Sequence, residues 1–229
     1  MNILALDTST EVCSVALQLG EEIYTRFDDS GARNTDIILP MIDHLMGETD
    51  TSRSALDGIV FGRGPGSFTG VRVATGITQG IAFALDLPVL PLSTLLLLAE
   101  GVRLRENAEC VATVNDARMK EVYSAVWQFT GEENALGGWQ ALQEERVQPP
   151  QNWTMETVPS ALWLSGSGWA AYPEALVRPE RATLAEAVTP RAEYALHLAQ
   201  RIPINYWKPV EQALPVYLRD NVAKKKGER

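Results

Sequence analysis

The sequence predicts an α/β chain built from two halves, on three observations. Residues 2–6, 12–19 and 23–27 alternate or run apolar between turns rich in Asp, Thr, Ser and Gly, the pattern of an antiparallel meander. An apolar strand at 58–61, a glycine-rich turn, a helix at 70–85 and a strand at 88–91 then form a βαβ-like unit. A shorter apolar run at 162–164 leads into Gly166-Ser167-Gly168, a weaker echo of the first glycine turn.

The remaining elements fall between these landmarks. Residues 35–46 carry helical spacing, and Asn34 stands where an N-cap belongs. The helix at 70–85 has Ser67 or Thr69 for its cap and no charge between Val73 and Leu85. The second half starts near Glu106, with strands at 110–115 and 122–129 on either side of Asp116-Ala117-Arg118-Met119-Lys120. Gly137-Gly138 and Pro149-Pro150 mark loops, residues 191–201 form a helix, and the Pro-rich end reads as extended. The expected division is 1–105 and 106–229, with the last segment packing back on the first half. A three-strand meander followed by alternating helices and strands is the pattern of a ribonuclease-H-like domain.

Composition agrees with a compact cytoplasmic protein. The 229 residues are 45% hydrophobic and 21% charged, globular values that allow a sizeable core. The chain enters a strand at once, without the basic start and apolar stretch of a signal peptide, and no uncharged run reads as a membrane span. Cys13 and Cys110 lie in apolar strand-like runs and read as buried, reduced thiols. Residues 1–100 hold 5 Arg, no Lys and 13 acids, and the net charge of the whole is −9. Such a surface repels phosphate backbones, so no large independent nucleic-acid interface is expected. The Lys224-Lys225-Lys226 tail reads as a solvated end. The six tryptophans, all in the second half, read as core or groove packing.

The glycine turn, Gly62-Arg63-Gly64-Pro65-Gly66-Ser67-Phe68-Thr69-Gly70, has two readings. Backbone N–H groups between a strand and a helix can face an anion, and glycine also lets a chain turn sharply and pack closely. It lacks the Gly-Lys-Ser/Thr of a P-loop, and Gly64-x-Gly66-x-x-x-Gly70 misses the dinucleotide spacing by one. Asp7-Thr8-Ser9-Thr10 in the first hairpin could hold Mg²⁺ and phosphate, or form an ordinary Asx turn. The nucleotide candidates are thus Asp7, Thr8, Ser9, Gly64, Gly66 and Ser67. No metal site is expected, because His44 and His197 are far apart in sequence and only Glu48 stands one helical turn from His44. Asp116 and Arg118 could orient a ligand, but such pairs more often fasten a turn.

Two helices carry more apolar surface than a sheet needs. On a helical wheel the residues from Ile37 to Met46 fill an arc of roughly 200°, where one stripe of about 100° suffices. The helix at 70–85 carries small residues every third or fourth position, which lets another helix come close. Ile37, Ile38, Met41, Ile42, Leu45, Val71, Ala74, Gly76, Thr78, Gly80 and Ile81 are therefore the expected partner surface. The alternative is burial under the chain's own second half.

Gly64-Pro65-Gly66-Ser67-Phe68-Thr69-Gly70-Val71-Arg72 resembles the signature of the TsaB (YeaZ) family of tRNA threonylcarbamoyladenosine biosynthesis proteins. The opening run from Ile3 to Leu17, Leu39-Pro40-Met41-Ile42, the segment from Asp116 to Tyr123 and Pro215-Val216-Tyr217-Leu218-Arg219 resemble its other landmarks, in order. One departure is Asn34, where many relatives carry a histidine. The resemblance implies two ribonuclease-H-like domains of the actin, sugar-kinase and Hsp70 superfamily. It also implies a non-catalytic scaffold that pairs with itself, with the catalytic paralogue TsaD and with the ATPase TsaE. No cofactor is expected to be held tightly, and ATP or ADP would sit at the junction with the paralogue. A small ATPase or kinase is the alternative, and a glycoprotease-like metallopeptidase the last choice.

Overall fold

The computed structural model describes residues 1–219 apart from 156 and 187, so the basic tail lies outside the described residues. The first half opens as the predicted meander: β1 (Asn2–Asp7), β2 (Cys13–Leu19) and β3 (Glu22–Asp28). α1 (Asn34–Glu48), β4 (Gly58–Gly62), α2 (Phe68–Leu85), β5 (Val89–Leu92) and α3 (Thr94–Glu106) follow. The second half runs β6 (Cys110–Arg118), β7 (Glu121–Phe129), β8 (Trp139–Gln148), β9 (Leu162–Ser165), α4 (Gly168–Ala171), β10 (Thr183–Leu184) and α5 (Ala192–Ala199).

The two sheets have the same plan. The first is ordered β3-β2-β1-β4-β5 and the second, read from its other edge, β8-β7-β6-β9-β10. In each, a three-strand antiparallel meander continues into parallel strands, β1 beside β4 and β6 beside β9. The echo at Gly166 is therefore the structural counterpart of the first glycine turn, in two ribonuclease-H-like halves.

The core sits in three layers. α1 and α2 cover one face of the first sheet over Leu4, Leu6, Val15, Leu17 and Phe61. α3 and α5 fill the space between the sheets, α5 against β1, β2 and β4 and α3 against β6, β7 and β9. Trp153 and Trp169 close the far face of the second sheet, stacked edge to face at 4.9 Å. Five of the six tryptophans are buried, Trp163 being half-buried, so they serve packing.

Three local readings need correction. The N-cap of α1 is Arg33, without a side-chain cap bond; Asn34 is the first helical residue, and its amide donates to the carbonyls of Thr8 (3.2 Å) and Thr10 (3.3 Å). α3, read as no element, is a helix whose residues Thr94 to Val102 are all buried. β8, read as no element, is a ten-residue strand that follows the loop 130–138, where Gly137-Gly138 lie as expected.

Candidate functional site

The first glycine turn is sealed against the first hairpin. Ser67 N–H donates to the carbonyl of Ser9 at 2.7 Å, and Thr8 Oγ1 donates to the carbonyl of Gly70 at 2.7 Å. A Cβ on Gly66 would lie 2.3 Å from the Ser9 oxygen, so the glycine is there for close packing. Ser67 caps α2, accepting from Gly70 N–H at 3.3 Å. Gly64 holds φ +97 and its carbonyl accepts from Thr94 N–H at 3.0 Å. Ser67 N–H, Gly70 N–H and the Thr8 hydroxyl are thus engaged within the chain.

Asp7 ends β1 fully buried, and its Oδ1 accepts from Ser9 N–H (3.1 Å) and Ser9 Oγ (2.8 Å), an Asx turn. Oδ2 occupies the space a Cβ on Gly62 would need and has no partner among the described residues. Burial pushes the carboxyl up to about 6, against the pull of the two Ser9 hydrogen bonds.

The second glycine turn repeats the arrangement. Gly166, at φ +108, lies under the Val114 carbonyl, Ser167 N–H donates to Asn115 Oδ1 (3.2 Å), and Ser167 Oγ accepts from Asp116 N–H (3.1 Å). Between the two turns runs a cleft of about 920 Å³, lined among others by Thr10, Ser67, Phe68, Arg118, Ser167 and Tyr217. Asp116 accepts from Arg118 N–H and from the Tyr172 hydroxyl, so the Asp116–Arg118 pair fastens the β6–β7 turn.

The C-terminal segment crosses the cleft. Val216 N–H donates to the Arg63 carbonyl (2.8 Å). Beyond it, Arg219 donates to Glu121 (2.6 and 2.9 Å) and to the carbonyls of Ala117 and Arg118. Residues 118–120 all adopt left-handed φ, and Arg219 holds the carbonyls at the start of that turn. Arg63 also reaches Glu145 on β8 at 2.8 Å.

Nucleophile and metal chemistry have little to work with. His44 is exposed on α1, 3.3 Å from Glu48, which Arg26 also holds. His197 is half-buried, and desolvation holds its pKa below the ordinary value, with Glu100 opposing. Burial pushes the thiols of Cys13 and Cys110 up to about 12 and about 11. Among the described residues no three His, Cys, Asp or Glu side chains gather at metal-binding distance.

The expected partner surface splits in two. Ile38, Ile42 and Leu45 of α1 and Val71, Ala74 and Thr78 of α2 are at most 2% exposed and belong to the core. The wide apolar arc is used by two neighbours at once, the sheet below and the other helix beside it. Ile37, Met41 and Ile81 are half-buried. Gly76 and Gly80 face outward with nothing within 4 Å of an added Cβ, and Phe83 beside them is 78% exposed. Phe83, Phe68, Arg72 and Tyr217 were not among the expected surface or site residues, although the last three lie in the signature segments. The signal for Arg72 was available, since it is the one charged residue of α2.

The match with known proteins follows the whole chain. Residues 31–226 fit the family model described as TsaD, tRNA N6-adenosine threonylcarbamoyltransferase. The tRNA threonylcarbamoyladenosine biosynthesis protein TsaB of Escherichia coli (strain K12) is 39% identical, over 99% of this chain and 98% of that one. That of Haemophilus influenzae is also 39% identical, over 99% and 97%. The solved structure of YeaZ from Pseudomonas aeruginosa superposes with a TM-score of 0.84 at 38% identity, covering 95% of this chain and 99% of that one. The shared fold is that of the actin-like superfamily, as the paired sheets require.

Proposed function

The chain belongs to the TsaB (YeaZ) family and serves tRNA threonylcarbamoyladenosine synthesis, and on that premise we propose that it is a non-catalytic docking subunit for the threonylcarbamoyltransferase TsaD. One observation carries the reading: α2 presents an outward face of Gly76, Gly80, Phe83 and Ala84, uncharged beyond Arg72. Glycine in an exposed helix interior costs roughly 0.5–1 kcal/mol relative to alanine. Two of them on one face are retained because another helix comes within reach of the backbone. In the free protein this face pairs with a second copy, and TsaD replaces that copy when present, so the two states exclude each other. TsaE joins the assembly from TsaD and this chain together, and tRNA is held by the complex.

The chemistry stays with the paralogue. TsaD transfers the threonylcarbamoyl group from its adenylate to the exocyclic amine of the adenosine beside the anticodon. The sealed glycine turns support this division, because Ser67 N–H and the Thr8 hydroxyl are already bonded within the chain. Any nucleotide belongs at the junction with TsaD, and no metal accompanies this chain. The protein works in the cytoplasm, where tRNA is modified.

The test is reconstitution with purified components. With tRNA and threonylcarbamoyl-adenylate, the isolated chain is expected to form no modified nucleoside, and TsaD to form more when the chain is added. Turnover by the chain alone, or TsaD activity indifferent to it, refutes the proposal.

A further inference from the structure

Residues 1–100 hold five arginines, and four of them meet a carboxylate of their own chain. Arg26 meets Glu48, Arg33 meets Asp36, Arg53 meets Asp43 and Arg63 meets Glu145. Arg72 is the fifth. Among the described residues its guanidinium meets aromatic rings instead of a carboxylate: its carbon lies 3.3 Å from the centre of the Phe68 ring and 5.2 Å from that of Tyr217. The two rings stand 5.9 Å apart, and both are substantially exposed, at 55% and 44%. Stacking on a ring restrains the guanidinium while leaving its in-plane donors open.

Its position makes this consequential. Arg72, Gly76 and Gly80 follow one another at i, i+4 spacing along the exposed face of α2. A helix seated on the two glycines covers Arg72 as well. Covering a guanidinium without a counter-charge is unfavourable, so the partner must bring a carboxylate. A second copy offers little from these two helices: Asp36, Asp43 and Glu48 of α1 are each engaged by an arginine of their own chain, and α2 has no acid before its C-cap, Asp86.

We propose that Arg72, held by Phe68 and Tyr217, is a socket for a carboxylate of TsaD docked on α2. This rests on the docking reading above. An Asp or Glu on the partner's contact helix meets the guanidinium in the forked, two-bond geometry that a lysine does not reproduce.

The experiment measures association with purified TsaD by calorimetry and self-association by sedimentation equilibrium. The variants are Arg72→Glu, Arg72→Lys, Phe68→Ala and Gly76→Trp. Arg72→Glu is expected to weaken TsaD binding by more than about tenfold while changing self-association by less than about threefold. Arg72→Lys and Phe68→Ala fall between wild type and Arg72→Glu. Gly76→Trp, which blocks approach by size alone, abolishes both associations. If Gly76→Trp blocks TsaD and Arg72→Glu does not, docking on α2 stands and the socket is wrong. If Gly76→Trp binds normally, the docking reading falls and the socket with it. Equal loss of self-association in Arg72→Glu overturns the assignment to TsaD. Loss only of tRNA binding by the isolated protein points to a phosphate and overturns it too.

Discussion

Gly70 lies so close under Thr8 that a Cβ on it would sit 1.9 Å from the Thr8 carbonyl oxygen. The obstacle is backbone, tied on the other side by the Thr8 hydroxyl donating to the Gly70 carbonyl. Glycine here is a packing requirement between β1 and the start of α2.

Gly70→Ala is therefore expected to destabilise the protein by about 3 kcal/mol, the upper range for forcing an atom into a packed site. Urea denaturation of Gly70→Ala beside Gly47→Ala, whose added Cβ meets nothing within 4 Å, provides the comparison. Wild-type stability in Gly70→Ala would mean that the turn and the hairpin separate freely, and would reopen the anion-cradle reading.

Asp7 should make stability fall with rising pH. Burial raises its carboxyl to about 6 in the folded chain, against 3.8 for the exposed group of the unfolded chain. Between those values the folded state holds the proton more tightly, so stability is highest below about pH 4 and decreases until about pH 6, then stays level. A displacement of that size corresponds to about 3 kcal/mol. Asp7→Asn keeps an acceptor for Ser9 and removes the titration. The stability difference between wild type and Asp7→Asn should thus shift in the variant's favour from pH 4 to pH 7.5. A difference independent of pH over that range would show that the carboxyl is not buried.

Glu100 is the main polar tie inside the layer between the sheets. Fully buried on α3, it lies 2.8 Å from Arg103, 2.8 Å from Arg201 after α5, and 2.9 Å from the indole N–H of Trp139 on β8. Glu100→Ala leaves two guanidinium groups without their partner and should cost roughly 3–5 kcal/mol, as for other broken buried pairs. Glu100→Gln, which retains an acceptor for Trp139, should cost less. Thermal unfolding of both variants checks the order, and equal losses would assign the effect to volume alone.

The parts legible in sequence were those with a one-sided apolar period. β1 to β3, β4 and α2 sit between water and one sheet face, or inside a sheet, and their patterns say so. α3 was missed because Thr94 to Val102 are buried on every side, so Leu95-Leu96-Leu97-Leu98 shows no amphipathic period. β8 was missed for the opposite reason: Gln140, Leu142, Glu144 and Arg146 face water, and Gln143 and Glu145 are polar on the other side. The twin sheet order was invisible because two meanders can share a topology with little sequence in common. At the candidate site, the residue types of the α1–α2 surface were readable but not their allotment. A helical wheel cannot say which part of an arc meets the sheet and which meets a neighbouring helix. Leu45 shows the consequence: at 2% exposure it is a core residue, and Leu45→Arg would unfold the chain rather than probe a contact.

Gly76 and Gly80 set stability against association. Neither has positive φ, and an added Cβ at either meets nothing within 4 Å. Alanine there removes backbone freedom from the unfolded chain and adds no clash. Gly76→Ala and Gly80→Ala should each raise the stability of the isolated monomer by about 0.5–1 kcal/mol. The same methyl groups stand on the face where a partner helix is proposed to approach. The double alanine variant should therefore unfold at higher urea concentration at a protein concentration where it is monomeric, yet associate more weakly with TsaD and with itself. Replacing Phe83, 78% exposed on the same face, by serine should weaken association without the gain in stability. Sedimentation velocity and urea titration on the same preparations read both quantities. If the alanine pair stabilises the monomer and leaves both associations intact, the glycines have no packing role, and partners bind elsewhere on the molecule.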